Sequence, residues 1–330
     1  MARLAILFAG LAITQAQDPL PSWNDGPAKQ AIVDFVNKTT TAGSTDFVPP
    51  AERIATFDQD GTLWVEQPAY TQVLFCFDRV AALAKENSKL KNVEPFKTVL
   101  SGDRKAIAKL TEQELEEIAI TTLTGMSVEQ FQAEAKEWLA AAKDPRWKKP
   151  YTELTYQPMQ EVLQYLRANG YKTFIVTGGG QDFVRVYSEA VYGIPPEQVA
   201  GTATVTGFGY DKAGKPVLTK KPKLLLNDNF AGKPEGIHLM IGRRPCAAFG
   251  NSTGDQQMLE YTKAGSGARL TMLVLHDDAV REFAYGPAEG LPASQVGTFT
   301  QALYDEAKKD GWTVISMKND WKQIFAFEGR

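Results

Sequence analysis

Apolar residues fall along this chain in two textures. In the first, short unbroken apolar runs stop abruptly at polar residues or glycine: IATF at 54–57, KTFIVT at 172–177, CAAFG at 246–250, LTMLVL at 270–275 and WTVISM at 312–317. Runs of that length suit strands buried on both faces of a parallel sheet. Between them lie segments of helical character. MQEVLQYLRANG is predicted as a helix stopped by Gly170, and DFVRVYSEAVYG, KPEGIHLMIG and DQQMLEYTK as further helices. Ahead of the first run, Ile32, Phe35 and Val36 recur at helical spacing. The stretch VAGTATVTGFGYDKAGKPVL is β-rich instead, and its DKAG predicts a hairpin turn.

The second texture occupies residues 64–151, which carry few glycines and no clear strand. Thr111 with Glu114, and Ser127 with Gln130, stand at capping-box spacing and mark two helix starts. Behind the second, Phe131, Ala135, Trp138 and Leu139 recur on one face. The expected fold class is therefore α/β: a doubly wound parallel sheet built from residues 17–63 and 152–330, interrupted by a helical insertion at 64–151.

Composition narrows the function classes. The 330 residues are 43% hydrophobic and 23% charged, ordinary for a globular chain long enough for one large domain with an insertion. A formal net charge of −3 gives no electrostatic footprint for nucleic acid or an anionic membrane, so affinity for an anion has to be local. The opening MARLAILFAGLAITQAQD has one Arg, an apolar segment from Leu4 to Ile13, and a small-residue close at Thr14-Gln15-Ala16. It is shorter than the roughly 20 apolar residues of a membrane span. Residues 1–16 have the shape of a secretory signal, which predicts an exported protein, periplasmic or secreted, with no stable membrane insertion; read instead as a short apolar helix, the segment leaves the protein cytoplasmic. The two cysteines, Cys76 in VLFCF and Cys246 in PCAAF, sit in separate apolar contexts and are expected to be buried thiols rather than a bridge.

The candidate chemistry starts at DQDGT, directly after the first apolar run. Alternate residues of an extended segment share a face, so Asp58 and Asp60 point together at the carboxyl end of a strand, where open α/β sheets form ligand crevices. Two neighbouring carboxylates are tolerated there if a cation sits beside them or if one stays protonated. Both arrangements are useful, one Asp as nucleophile and the other as proton donor and acceptor. Three further stretches agree. In VTGGG, the Thr177 hydroxyl and the main chain at Gly178 suit phosphate oxygens. Lys233 in GKPEG stands at a helix entry, where it could neutralise a phosphoryl group, with Lys220, Lys221 and Lys223 as rivals. GNSTGD brackets a turn with Asn251 and Asp255, oxygen donors suited to a hard cation such as Mg. The same stretch also reads as an Asx-turn capping the next helix.

These four motifs, in this order, resemble the haloacid dehalogenase superfamily, in its phosphoserine-phosphatase-like subgroup. The resemblance covers about residues 50–320 and implies the Rossmannoid core of that superfamily, with the helical block as its cap. It implies an Mg-dependent phosphatase that hydrolyses a small phosphomonoester, a phosphorylated metabolite. Asp58 would be the nucleophile, forming an aspartyl-phosphate, and a metal ligand. Asp60 would be acid and base, its carbonyl on the metal. Thr177, Gly178 and Lys233 would bind the phosphoryl group, and Asn251 and Asp255 would complete the metal site. The family usually places Asp where this chain has Asn251, which removes one negative charge. Trp64 and Glu66, at the entry to the cap, are candidates to face substrate. Two alternatives keep the same site: a phosphotransferase or mutase, and a catalytically silent protein that binds a phosphate ligand. Substrate identity and oligomeric state are not legible here.

Overall fold

A computed structural model describes residues 18–329. The leader read from residues 1–16 lies outside them. Seven strands make one sheet: β1 (Ile54–Phe57), β2 (Lys172–Gly180), β3 (Val199–Tyr210), β4 (Pro216–Leu226), β5 (Ala247–Gly250), β6 (Leu270–Leu275) and β7 (Thr313–Ser316). Their spatial order is β4-β3-β2-β1-β5-β6-β7. Every neighbouring pair is parallel except β3 with β4, the hairpin closed by the turn at 211–214.

The chain builds outward from β1 in one direction through β2 and β3, then returns to β1's other edge with β5 and continues to β6 and β7. That reversal opens a crevice at the carboxyl ends of β1 and β5, the place where doubly wound sheets take ligands. All residues of β1, β5 and β6 are buried, as expected for strands covered by helices on both faces. Phe57 and Phe249 stack with centroids 4.5 Å apart beneath the crevice. Burying a side chain of this size stabilises by roughly 1.5–3 kcal/mol, so the floor of the site is also one of the firmest parts of the core.

The helix Pro27–Thr40 buries Ile32, Phe35 and Val36, as their spacing predicts. The helix Gln157–Ala168 ends before Gly170, which adopts φ +79°. Residues 182–193 depart from the single helix expected of them. They form two short helices, Gln181–Arg185 and Ser188–Tyr192, because Tyr187 leaves helical geometry to stack on Trp64. In KPEGIHLMIG the helix Gly232–Gly236 runs into a wider turn over Ile237–Ile241. β2 continues through the glycines to Gly180 rather than stopping at Thr177, with a register shift between them.

Between β1 and β2 lie the helices Thr71–Glu86, Phe96–Ser101, Arg104–Ile107, Glu112–Leu123 and Val128–Ala141, with no strand among them. The Thr111–Glu114 capping box is complete, and the Ser127 side chain caps its helix by accepting from the Gln130 N–H at 3.0 Å. Phe131, Ala135 and Leu139 are buried, and Trp138 stacks on Tyr151. The block meets the sheet edge through main-chain bonds: Gly125 N–H donates to Lys220 O at 2.8 Å, and Lys220 N–H to Met126 O at 2.9 Å. Cys76 and Cys246 are both free and buried. No helix among the described residues is long and apolar enough to cross a membrane.

Candidate active site

Asp58 leaves β1 with its N–H on Phe249 O at 2.9 Å, which fixes the start of the loop against β5. Its Oδ1 accepts from Lys233 Nζ at 2.6 Å. The same ammonium donates to Val176 O at 2.6 Å and pairs with Asp255 Oδ1 at 2.9 Å. Lys233 thus ties the ends of β1, β2 and the 251–255 loop together while 1% exposed. Burial alone would lower its pKa, but Asp255, Asp58 and Asp228 outweigh that and hold the ammonium above its ordinary range. Of the rival lysines, Lys220 is buried in a pair with Asp182, and Lys221 and Lys223 are exposed.

Asp60 points into the same space. Its Oδ1 accepts from Trp64 Nε1 at 2.7 Å, and its Oδ2 faces Gly179, where a methyl group would lie 3.6 Å away. Burial raises its pKa to about 6, against the pull of Trp64 and Lys233. Asp58 is pushed up to about 8, by burial first and then by Asp255. Two carboxylates at one strand end are thus each made more basic by loss of water, so without a further positive charge beside them both hold a proton more readily than in water.

The third loop is closed by Asp255, whose Oδ2 accepts from the N–H groups of Asn251 at 2.9 Å and Ser252 at 3.1 Å. Ser252, rather than an Asx-turn, supplies the cap here, its Oγ accepting from Gly254 N–H at 3.2 Å. Asp255 thus spends Oδ2 on the loop, while its Oδ1 faces Lys233 and borders the cavity. Thr177 is buried, its Oγ1 accepting from Gly179 N–H at 3.0 Å, and Gly178 is exposed beside it. The structure thus brings Asp58, Asp60, Thr177, Gly178, Lys233 and Asp255 to one cavity, with Asn251 behind them.

Trp64 and Glu66, expected as candidates to face substrate, fall in different places. Trp64 is 1% exposed, stacks on Tyr187 with centroids 4.7 Å apart, and reaches only Asp60. Glu66 borders the cavity but is buried, and its Oε1 accepts from Tyr285 OH and from Asn251 Nδ2, both at 2.7 Å. With Thr62 Oγ1 donating to Asn251 Oδ1 at 3.2 Å, the amide orientation is set from both ends. Gly61 is required here: it adopts φ +72°, and a methyl group would collide with both Asn251 and Glu66. His276 Nε2 sits 2.8 Å from the Gly61 carbonyl and its Nδ1 3.2 Å from Glu282. Glu66 thus sets a carboxyl group one side chain away from the amide at 251, with burial holding its pKa well above the ordinary range.

Some residues of the site had no reading in the sequence. Asp228 is fully buried, neither of its oxygens has a hydrogen-bond partner, and burial raises its pKa to about 7. Asn229 is wedged between two loops: a methyl at Gly178 would lie 3.2 Å from its side chain, and one at Gly254 2.6 Å from its Oδ1. Gln72 Oε1 accepts from Gly180 N–H at 2.6 Å, a contact from the helical block to the end of β2. The signal for the first two was the polar triplet Asn227-Asp228-Asn229 just before the lysine motif; Gln72 had none.

A family model described as haloacid dehalogenase-like hydrolase matches residues 55–260. The chain belongs to that family, whose fold and loop order it shares. Among solved structures, a functionally unknown protein from Anaerococcus prevotii is 17% identical, with 76% of this chain and 86% of that chain covered at a TM-score of 0.51. A protein of unknown function from Bordetella pertussis is 17% identical over 80% of this chain and 98% of that one, at 0.49. A phosphoserine phosphohydrolase-like protein from Francisella tularensis is 17% identical over 68% and 88%, at 0.38. Comparison with curated proteins returns no match.

Proposed function

We propose that this hydrolase is a phosphomonoesterase that works through a covalent phosphate on Asp58. The observation that carries the reading is the shared space at one strand end: Asp58 held by Lys233 at 2.6 Å, and Asp60 Oδ2 turned toward the Thr177–Gly180 segment. Asp58 Oδ attacks phosphorus, and the ester P–O bond breaks as Asp60 gives its proton to the departing alcohol oxygen. Asp60, now a carboxylate, takes a proton from water, whose oxygen attacks the same phosphorus and releases inorganic phosphate and the Asp58 carboxylate. Lys233 and the main chain at Gly178 offset charge on the phosphoryl oxygens as it develops. The helical block closing over the crevice is proposed as a cap that keeps bulk water from the ester.

A divalent cation fits these residues. Asp58, Glu66, Asp228 and Asp255 are buried, and Asp60 half-buried, around the buried ammonium of Lys233. That negative surplus favours either protonated acids or a cation. Among the described residues, no group of three or more His, Cys, Asp and Glu side chains is arranged to hold a metal ion. Mg would lean on the Asp58 and Asp255 carboxylates, the Asp60 carbonyl and the Asn251 amide, an oxygen-only set of the kind that ion takes. When bound, Mg would supply Lewis-acid stabilisation of phosphoryl oxygens.

The test is hydrolysis of an aryl phosphate with and without Mg. Asp58→Asn is expected to lower kcat/KM by on the order of 10³-fold or more. Undiminished turnover by that variant defeats the reading. Phosphate-analogue binding by the unsubstituted protein without any turnover favours a silent binding protein. Phosphoryl transfer to an added alcohol in place of water marks a phosphotransferase. Export is proposed on the leader alone, and the N-terminal residue of the mature protein decides it.

A further inference from the structure

A cavity of about 350 Å³ rises from Asp58 and Asp60 toward the helical block. The volume falls in the range of small-ligand sites. Its floor is polar and charged, but its upper wall is not. Val73, Cys76, Leu115, Ile118, Phe131 and Phe183 line it, contributed by three block helices and the helix after β2. The Cys76 thiol belongs with them chemically: burial pushes it up to about 11, so it remains a neutral, weakly polar group.

The charges that remain in this cavity are already used. Among the described residues lining it, the cations are Lys233 and Lys220. Lys233 is bound to Asp58 and Asp255, and Lys220 is paired with Asp182 and lies 4.8 Å from the centroid of the Phe131 ring. No ammonium or guanidinium is left to receive a substrate carboxylate. Glu116, at the rim, would repel one. A carboxylate entering such a space loses its water without gaining a partner, which is strongly unfavourable, and a free ammonium against the upper wall finds only Glu116, at the solvent-exposed rim. Neutral polar groups are present, in Gln72, Thr202, Thr204 and Asn227, and these can meet a hydroxyl or an ether oxygen.

We propose that the ester consumed here carries an uncharged, largely apolar alcohol, aromatic or branched aliphatic, and that the cavity selects against phosphorylated amino acids and phosphorylated carboxylic acids. This inference rests on the phosphomonoesterase reading for its phosphate end, and on the upper wall alone for the rest. The apolar body would lie against Ile118, Phe131 and Phe183 with its phosphate over Asp58. Hydrolysis would then release a neutral alcohol and inorganic phosphate, so the class of reaction that supplies this substrate is phosphorylation of an apolar alcohol.

The experiment separates the two ends of the ligand. Calorimetry in the presence of Mg compares inorganic phosphate, 3-phenylpropylphosphonate and 2-amino-4-phosphonobutanoate, and turnover compares phenethyl phosphate with phosphoserine, whose leaving alcohols have similar acidity. Burying even two methylene-sized groups is worth about tenfold, so the phenyl phosphonate is expected to bind at least about tenfold tighter than inorganic phosphate. The amino-acid phosphonate is expected to bind no tighter than inorganic phosphate. Phenethyl phosphate is expected to exceed phosphoserine in kcat/KM by at least about tenfold. Leu115→Arg, which places a cation in the upper wall, is expected to reverse the order of the two phosphonates. Equal or tighter binding of the amino-acid phosphonate by the unsubstituted protein overturns the inference. So does absence of binding by all three ligands. Tail preference in binding with no turnover of either ester leaves this inference standing and overturns only the hydrolytic reading.

Discussion

On the sheet side of the cavity, polar side chains are held by partners that leave little freedom. Lys233 is fixed by three oxygens, Asp60 by Trp64, Asn251 by Thr62 and Glu66, and the 251–255 loop by Asp255. On the helical side the cavity wall is made of aliphatic and aromatic surface, with Lys220 and Asp182 cancelling each other. One side is specified by directed bonds at fixed distances, the other by area and shape. Directed bonds confine the reacting atoms, whereas nondirectional burial accepts many bodies of the same polarity. On the proposed reading, chemistry and choice of substrate fall on opposite walls.

Substitutions on the two walls should therefore fail in different ways. The largest effect is expected for Lys233→Met, which leaves Asp58 and Asp255 buried without their counter-charge. Breaking such a pair destabilises by about 3–5 kcal/mol, read by chemical denaturation, and phosphatase activity should vanish with it. A variant that keeps full stability would show that the acids are protonated or otherwise satisfied without it. Asp60→Asn should lower kcat on an alkyl phosphate by about 10²–10⁴-fold, the usual worth of a general acid. Its loss on a nitrophenyl ester should be smaller, because that leaving group needs no proton. Equal losses on both esters would remove Asp60 from the acid role.

The raised carboxylates also set a pH dependence. Asp58, held near 8, and Asp60, near 6, bind protons in the folded protein that the unfolded chain releases near 3.8. With more protons bound folded than unfolded, stability of the metal-free protein must fall as pH rises from about 4 to about 8. A cation that binds only the folded form restores about 2.7 kcal/mol at a hundred times its Kd. Mg should consequently raise Tm more at pH 8 than at pH 5, and a shift independent of pH would place the cation elsewhere. Gly254→Ala should drive Asn229 from its wedge beside Gly178, disturb the main chain there that is proposed to hold phosphate, and weaken inorganic phosphate binding by about tenfold, near the cost of one lost hydrogen bond. The smallest effect belongs to the helical wall: Ser127→Ala should cost about 1 kcal/mol of stability through the lost cap, with kcat on an aryl phosphate unchanged.

The directed wall was also the legible one. Asp58, Asp60, Thr177 and Lys233 could be placed from sequence because each follows a short apolar run or opens a helix, and strand ends bring such positions together. The sheet itself followed from unbroken apolar runs. Loop partners were harder, since a side chain's bonding depends on which distant loop comes beside it. Glu66 read as a candidate to face substrate and does border the cavity, but nothing local to it said that Tyr285, more than two hundred positions along the chain, would bind one of its oxygens. Asp228 and Asn229 come from the end of β4, and nothing local to them says that the hairpin returns to the crevice. The break at Tyr187 has the same origin, an aromatic stack with Trp64 outweighing local helical preference.

The single antiparallel pair in the sheet has a mechanical consequence. Its outer strand exchanges main-chain bonds with the turn at 125–126 through residue 220, while its inner strand is laced to β2 beside Thr177. Any swing of the helices away from the crevice must either snap the two bonds at residue 220 or drag the ribbon with it. In the second case the strain arrives at the end of β2 proposed to hold phosphate, and there admitting a ligand and loosening the grip on its phosphate would become one displacement.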